Sequence, residues 1–599
     1  MRATSVTKTN WQREYLATAS DSGLSPTARH LLESRYVRLR GDGTHESPGE
    51  LFRRVARAVA QAELAWATPQ VAALWEERFF KLLCELKFLP NSPTLMNAGT
   101  AAHQLSACFV LPIEDSLESI LSTLKLSALI QQSGGGTGFN FSKLREKGAP
   151  LQSTSGLSSG PVSFLKIFDT VTDHIRQGGK RRGANMGILN VDHPDILEFV
   201  RSKSEQHQLR NFNLSVGIRD AFMDAVARNG VWNLVHPGSG TVAQTVNARD
   251  LWNAITDSAW QGGDPGLIFL DAINQVNPTP ASGLIDATNP CGEVPLLPFE
   301  SCNLASINLI RFVSPENHSF QWEDLGKTVA AVIRFLDDVI EVNRYLSSDI
   351  EAVARGNRKI GLGVMGWTEA LSLLEIPYDS EHAVQLGGQL MHYISYQSRN
   401  ASRQLADERG AFKNWPSSIY YPGLPLRHAA CNSIAPTGSI SVIANTSSSI
   451  EPFFALASRR WHVLENETWQ EINPVLIHFL SAHHLDKADV MASIRETGTL
   501  QNVPDLPPGV SDIFKTALEI APNWHLEHQL AFQKFTDNAV SKTINLPETA
   551  TRADISHVYE RAWKSRLKGI TVYRYNSRSE QVLYQGFSSG LRGCSVCSR

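Results

Sequence analysis

From Phe88 to about Asn576 no Pro-, Ser- or Gly-rich linker interrupts the chain. Short apolar runs such as Leu267-Ile268-Phe269-Leu270 and Ile360-Gly361-Leu362-Gly363-Val364-Met365 alternate there with segments of helical periodicity. Unbroken alternation of strands and helices constrains this stretch to one large α/β unit. Upstream, Leu51, Val55, Ala58, Val59 and Ala62, then Val71, Leu74, Trp75, Phe79 and Leu82, recur at helical spacing. Residues 1–87 are therefore expected to be a helical region packed against the main unit. Beyond 576 the chain turns polar, with Gly586, Gly590 and Gly593, the composition of a mobile tail. The expected division is 1–87, 88–576 and 577–599.

Composition excludes several function classes. The 599 residues carry 56 basic and 59 acidic groups, a net charge of -3, which gives no reason to expect a nucleic-acid polymer as partner. No stretch of about eighteen uninterrupted apolar residues supports a membrane span. The first residues, with Arg2, Lys8 and Arg13, lack the apolar run of a secretory signal. Seven scattered cysteines, an odd number, fit a reducing cytoplasm in which thiols do chemistry better than a secreted disulfide framework.

One pentapeptide concentrates reactive groups. In Asn289-Pro290-Cys291-Gly292-Glu293 an amide, a thiol and a carboxylate alternate with two backbone-shaping residues. In an extended segment Asn289, Cys291 and Glu293 would face one common point. Alone, the same residues also read as a turn around a buried Cys. Their company tells more: Cys302 follows in Glu300-Ser301-Cys302-Asn303, Cys108 precedes in Leu105-Ser106-Ala107-Cys108, and Cys594-Ser595-Val596-Cys597 nears the end. Together with Asn91-Ser92-Pro93-Thr94, the run Gln131 to Gly138, the run Gln177 to Asn185 and Ala435-Pro436-Thr437-Gly438-Ser439, these segments resemble the large catalytic subunit of ribonucleotide reductase from about Phe88 to Tyr575 and again in the tail.

That resemblance implies a ten-stranded α/β barrel whose central finger loop carries 289–293, with an N-terminal helical region and a flexible C-terminal tail. It implies that Cys291 becomes a thiyl radical that abstracts the ribose 3′ hydrogen, that Glu293 is the general base on the 3′ hydroxyl, and that Asn289 binds substrate hydroxyls. Cys108 and Cys302 match the reducing pair, which requires their Cα atoms to meet within about 7 Å. Cys594 and Cys597 read either as half of a zinc site or, as the resemblance implies, as a dithiol shuttle reduced by thioredoxin or glutaredoxin. From Asn576 to Cys597 the chain spans at most about 70 Å.

Substrate binding is implied for Ser92, Ala107, Cys108, Gly136, Asn289, Pro290, Cys291, Gly292 and Glu293, with the diphosphate at Pro436, Thr437, Gly438, Ser439 and Ile440. Small residues with free backbone amides suit an anion there, although an ordinary helix cap fits as well. Several relatives have Ser where Ala107 stands, so contact at that position would be through backbone. Gly134 to Gly138 does not match G-x-G-x-x-G, because residue 139 is Phe. Asp115, Ser116 and Arg145, with Lys180 and Arg181 in the loop from Gly178 to Met186, match positions that hold and relay a dNTP or ATP effector. Lys180, Arg181 and Arg182 equally read as a solvated basic turn. No activity cone is recognised at the N-terminus, so deoxyadenosine triphosphate is expected to steer specificity without shutting the enzyme down.

The radical source follows from Val572-Tyr573-Arg574-Tyr575, where subunits fed by a metal-containing partner carry two adjacent tyrosines. An Arg between the tyrosines points to the adenosylcobalamin-dependent class, acting on ribonucleoside diphosphates as a homodimer and needing no metal ligands from the protein. The alternatives are a class I large subunit with a metal-radical partner and a non-catalytic nucleotide-binding paralogue. Retention of five expected thiols and Glu293 argues against the latter.

Overall fold

The computed structural model describes residues 11–21, 23–151, 156–177, 181–204, 208–460, 469–501, 503, 506–578 and 583–587. Four helices, Trp11–Asp21, Pro26–Arg35, Pro48–Ala60 and Pro69–Cys84, precede the first strand. The third starts where Ser47 and Glu50 cap each other, side chain to backbone amide, ahead of Pro48. Leu51, Val55 and Val59 of that helix are fully buried. Leu74, assigned to the apolar stripe of the next helix, is instead 70% exposed, because Phe79, Leu82 and Leu83 cover that helix's buried face.

Ten strand segments close a ring. Strands β1 (Cys108–Val110), β2 (Gly136–Asn140), β3 (Asn185–Asn190), β4 (Phe212–Ile218) and β5 (Gly266–Phe269) pair in parallel in that order. Strands β6 (Ser301–Asn308) and β7 (Ile360–Met365), a short segment at 432–434, and β8 (Thr543–Leu546) and β9 (Gly569–Arg574) form a second parallel set. The two sets meet antiparallel at both seams, β5 with β9 and β1 with β6. Parallel neighbours need long crossovers, and helices such as Leu117–Gln132, Pro161–His174 and Trp322–Val342 supply them. Both faces of the strands are therefore covered, which is why they read as apolar runs.

A hairpin fills the lumen. Ala287–Thr288 pairs with Pro295–Leu296, and Ile285, Ala287, Val294 and Leu296 share a buried cluster with Cys108, Ile188, Ile268 and Cys302. The barrel wall grips this finger through polar side chains: Asn140 Nδ2 donates to Asp286 O (2.8 Å), Asn213 Nδ2 to Pro290 O (2.7 Å) and Ser433 Oγ to Glu293 O (2.9 Å). The finger passes so close to β2 that a Cβ at Gly138 would lie 1.7 Å from Thr288 O.

The N-terminal helices share one apolar core with β6, β7 and the segment at 432–434. Buried Glu63 bonds Arg334 and Arg409, which lie on helices Trp322–Val342 and Glu381–Arg409. Past the expected boundary at 576, Leu583–Gln585 pairs as a strand with Ala457–Arg460, and Phe587 N donates to Arg495 O (2.7 Å). Cys594, Cys597 and Lys180 lie outside the described residues, as does the side chain of Arg181.

Gly138→Ala should expel the finger from its seat, since neither colliding atom belongs to a flexible side chain. A loss of about 1–3 kcal/mol is expected from overpacking. An unchanged urea midpoint would show that β2 and the finger are not in this contact.

Candidate active site

At the finger tip only 289–294 remain to reverse the chain between paired residues, and they form a turn. Gly292 N donates to Asn289 O (3.1 Å), Val294 N donates to Asn289 Oδ1 (3.0 Å), and Gly292 takes a φ of +81°, which suits a residue without Cβ. This corrects the extended reading of the pentapeptide. Asn289 and Glu293 turn into the barrel and are buried, whereas Cys291 stands exposed at the corner.

The seam between β1 and β6 sets Cys302 directly opposite Cys108. Opposed residues of an antiparallel pair have Cα atoms about 4.5–5.5 Å apart, inside the range a disulfide needs. Both thiols are buried, and Asn289 Nδ2 donates to Cys108 Sγ (3.2 Å). Burial pushes both well up, with the Glu293 carboxylate adding to the effect at Cys108. At Cys302 the next contribution is Glu300, opposed by Lys359. Burial raises Glu293 itself to about 7, against a lowering hydrogen bond from Asn289. Glu293 Oε2 has no hydrogen-bond partner among the described residues. A buried carboxylate oxygen left this way is an acceptor for a ligand hydroxyl.

Cys291 forms part of the wall of a cavity of about 440 Å³, together with Met186, Asn213, Pro290, Pro436 and Tyr573. A Cβ at Gly292 would meet nothing within 4 Å, so the space beside the thiol is open. At its rim Asp264 pairs with Lys203 (3.1 Å) and Arg578 (2.6 Å). Arg574, which follows Tyr573 in sequence, donates to Trp260 O (3.0 Å) and lies over the Trp260 ring. No His is among the described residues that line the cavity.

Other sequence-predicted residues collect around the same end of the barrel. Gly136 is the register partner of Cys108, and its amide donates to Ala107 O (2.8 Å). Ser92 opens helix Ser92–Asn97, and its hydroxyl shares a hydrogen bond with Tyr36 Oη (2.9 Å). Thr437, at φ +56°, caps the short helix Gly438–Ile443, and its Oγ1 accepts from Ser449 N (2.7 Å). Helix Pro26–Arg35 packs on that helix. Both expected substrate segments thus lean on the N-terminal region, which was read only as packing. Asp115, Ser116 and Arg145 sit apart from this group: Arg145 Nε donates to Asp115 Oδ2 (2.7 Å), and Ser116 caps Leu117–Gln132. The residues missed by sequence reasoning are Tyr36, Asn140, Asn213 and Ser433. Each is a lone polar residue far along the chain from its partner, without a local pattern to mark it.

Two family models match the chain. One, described as the ribonucleotide reductase barrel domain, covers residues 106–426 and 423–573, and the other, the ribonucleotide reductase all-alpha domain, covers 22–103. The sequence is 49% identical over 562 residues to a vitamin B12-dependent ribonucleoside-diphosphate reductase of Mycobacterium tuberculosis, covering 94% of this chain and 80% of that one. It is 48% identical over 565 residues to the protein of the same description from Thermoplasma acidophilum, covering 94% and 72%. Among solved structures, the class Id ribonucleotide reductase alpha subunit of Actinobacillus ureae superposes with a TM-score of 0.76 at 25% identity, covering 92% of this chain and 97% of that one.

Mild oxidation should close a Cys108–Cys302 disulfide with no change in far-ultraviolet circular dichroism, because the register already opposes the two residues. Peptide mapping that pairs either thiol with Cys431 or Cys291 instead would contradict the seam.

Proposed function

The chain belongs to the ribonucleotide reductase family, and on that footing we propose how its own residues carry out vitamin B12-dependent reduction of ribonucleoside diphosphates to 2′-deoxyribonucleoside diphosphates. The observation that carries the reading is the opposition of Cys108 and Cys302 beneath Asn289 and Glu293, with Cys291 at the turn between this buried group and an open cavity.

Adenosylcobalamin supplies a homolytically labile cobalt–carbon bond, and with it the one-electron oxidation that a thiol needs. The described residues around the cavity that Cys291 lines would fit such a group, with open space at Gly292 beside the thiol. Met186, Asn213 and Tyr573 would hold it. Cys291, as a thiyl, takes the 3′ hydrogen of the ribose, and Glu293 accepts the 3′ hydroxyl proton. Cys108 protonates the departing 2′ hydroxyl, which leaves as water. Cys108 and Cys302 give up two electrons and close a disulfide, the Cys302 proton goes with them to C2′, Glu293 returns its proton to the 3′ oxygen, and Cys291 returns hydrogen to C3′. Asn289, bonded to Cys108, orients the ribose hydroxyls by donating and accepting.

Further parts of the reading rest on surface features. Gly438–Ile443 receives the diphosphate, supported by the place of Pro436 in the same cavity wall as Cys291. The Asp115–Arg145 pair with Ser116 takes the effector nucleotide. Leu117 and Leu121, 63% and 49% exposed one turn apart on the next helix, support pairing of two copies into a homodimer. Thioredoxin or glutaredoxin renews the thiols through Cys594 and Cys597. No described helix is long and apolar enough to cross a membrane, and dependence on reduced thiols supports a cytoplasmic setting.

Cys291→Ser should bind substrate normally and form no product with adenosylcobalamin present, because a hydroxyl is a far poorer radical carrier of similar size. Measurable turnover would remove Cys291 from the mechanism. With Glu293 raised to about 7, the base is protonated below that pH, so single-turnover reduction should rise as pH increases through about 7. Glu293→Gln should flatten and depress that profile; an unaltered profile in the variant would assign the titration elsewhere.

A further inference from the structure

The register that sets Cys302 against Cys108 continues on the other side of β6. Asn303 pairs with Ile360 in parallel, so one residue earlier Lys359 stands beside Cys302. Lys359 is almost wholly buried, and its Nζ bonds Glu300 Oε2 at 2.8 Å. Glu300, which immediately precedes β6 and lies two residues before Cys302, is also held by Asn357 Nδ2 (2.7 Å) and by Leu297 N (2.8 Å). Lys359 also borders a second cavity, of about 490 Å³, with the finger residues Ile285 and Pro295 and with Asp537 and Lys568. That cavity lies among the residues that enter β7 and β9 and those that follow β5, at the opposite barrel mouth from Cys291.

We propose that Lys359 is a positioning residue for the regeneration half of the cycle, making Cys302 the leaving sulfur when the Cys108–Cys302 disulfide is reduced, with Glu300 restraining it. The inference rests on reading these two cysteines as the redox pair. A dithiol thiolate attacks Cys108 Sγ, a new S–S bond forms, the Cys108–Cys302 bond breaks, and its electron pair stays on Cys302 Sγ. A buried thiolate needs a facing cation, and Lys359 is the cation that opposes the rise of this thiol. The proton that then converts Cys302 to a thiol comes from solvent through the second cavity. Attack by the reductant's other thiol releases Cys108, so one enzyme disulfide and one external dithiol become an enzyme dithiol and an external disulfide. The charged and titratable groups facing Cys302 are Glu300 just before its strand, Lys359 on β7's side, Cys108 on β1 and Glu293 on the finger, with Lys568 beyond Lys359.

The test uses the full chain with adenosylcobalamin. One turnover of ribonucleoside diphosphate oxidises the pair, and its reduction by dithiothreitol is then followed by quenched thiol counting across pH. Lys359→Met combined with Glu300→Gln removes both charges together and should slow that reduction about tenfold or more, while a single turnover of prereduced enzyme stays near normal. Glu300→Gln alone should do the reverse and speed reduction, because Lys359 then faces Cys302 unrestrained. Lys359→Arg should keep most of the rate. Unchanged reduction in the double variant, or slowing by Glu300→Gln as a merely structural pair would give, overturns the proposal. If the double variant does not fold, the sign of the Glu300→Gln effect decides alone. If turnover leaves Cys108 and Cys302 unoxidised in the parent protein, the redox assignment has failed instead.

Discussion

An antiparallel seam joins two parallel half-sheets, and the chemistry depends on it. Within either half, strands run side by side in one direction, and residues far apart in the chain meet only through crossover helices. At β1 and β6 the directions oppose, so Cys108 and Cys302 come to share one register position without any loop between them. The same strand β6 carries Lys359 against its other edge by way of β7. One row across the barrel wall thus reads cation, thiol, thiol, glycine, from Lys359 through Cys302 and Cys108 to Gly136.

The finger makes that row a reaction chamber. It fills the lumen with apolar side chains such as Ala287, Val294 and Leu296 and delivers Asn289 and Glu293 at its tip, where the wall's amide and hydroxyl groups tie its carbonyls. Taking a carboxylate from water is costly unless its oxygens are bonded, and Glu293 meets that cost by holding its proton to about neutral pH. A buried acid poised there can accept a proton during reaction at little further cost. Cys291 is the exception in exposure because the turn that hides its neighbours pushes it outward.

Much of this was legible from residues alone. Alternating apolar runs marked an α/β unit, while the barrel and the roles of the thiols, Asn289 and Glu293 came from the resemblance of their motifs to a known family. The local geometry of 289–293 was not legible, since alternation assumes an extended chain and the pairing of Thr288 with Pro295 forbids one. Nor could the pattern of Leu74 and Trp75 say which side of a helix meets the barrel, a matter of what packs on it. Tyr36, Asn213, Ser433 and Lys359 carry no local signal at all. Their partners lie across the fold, and only strand register or packing reveals them.

The strand at Leu583–Gln585 changes the arithmetic of the C-terminal cysteines. Measured from Asn576 the chain has a reach of about 70 Å, but with that strand paired and Phe587 bonded to Arg495 the leash starts at 587. Cys594 lies seven chain steps beyond that anchor, a reach of about 25 Å. On the proposal that Cys594 and Cys597 form a dithiol shuttle, pairing or release of the three residues Leu583–Gln585 sets how far from the barrel the two thiols can act.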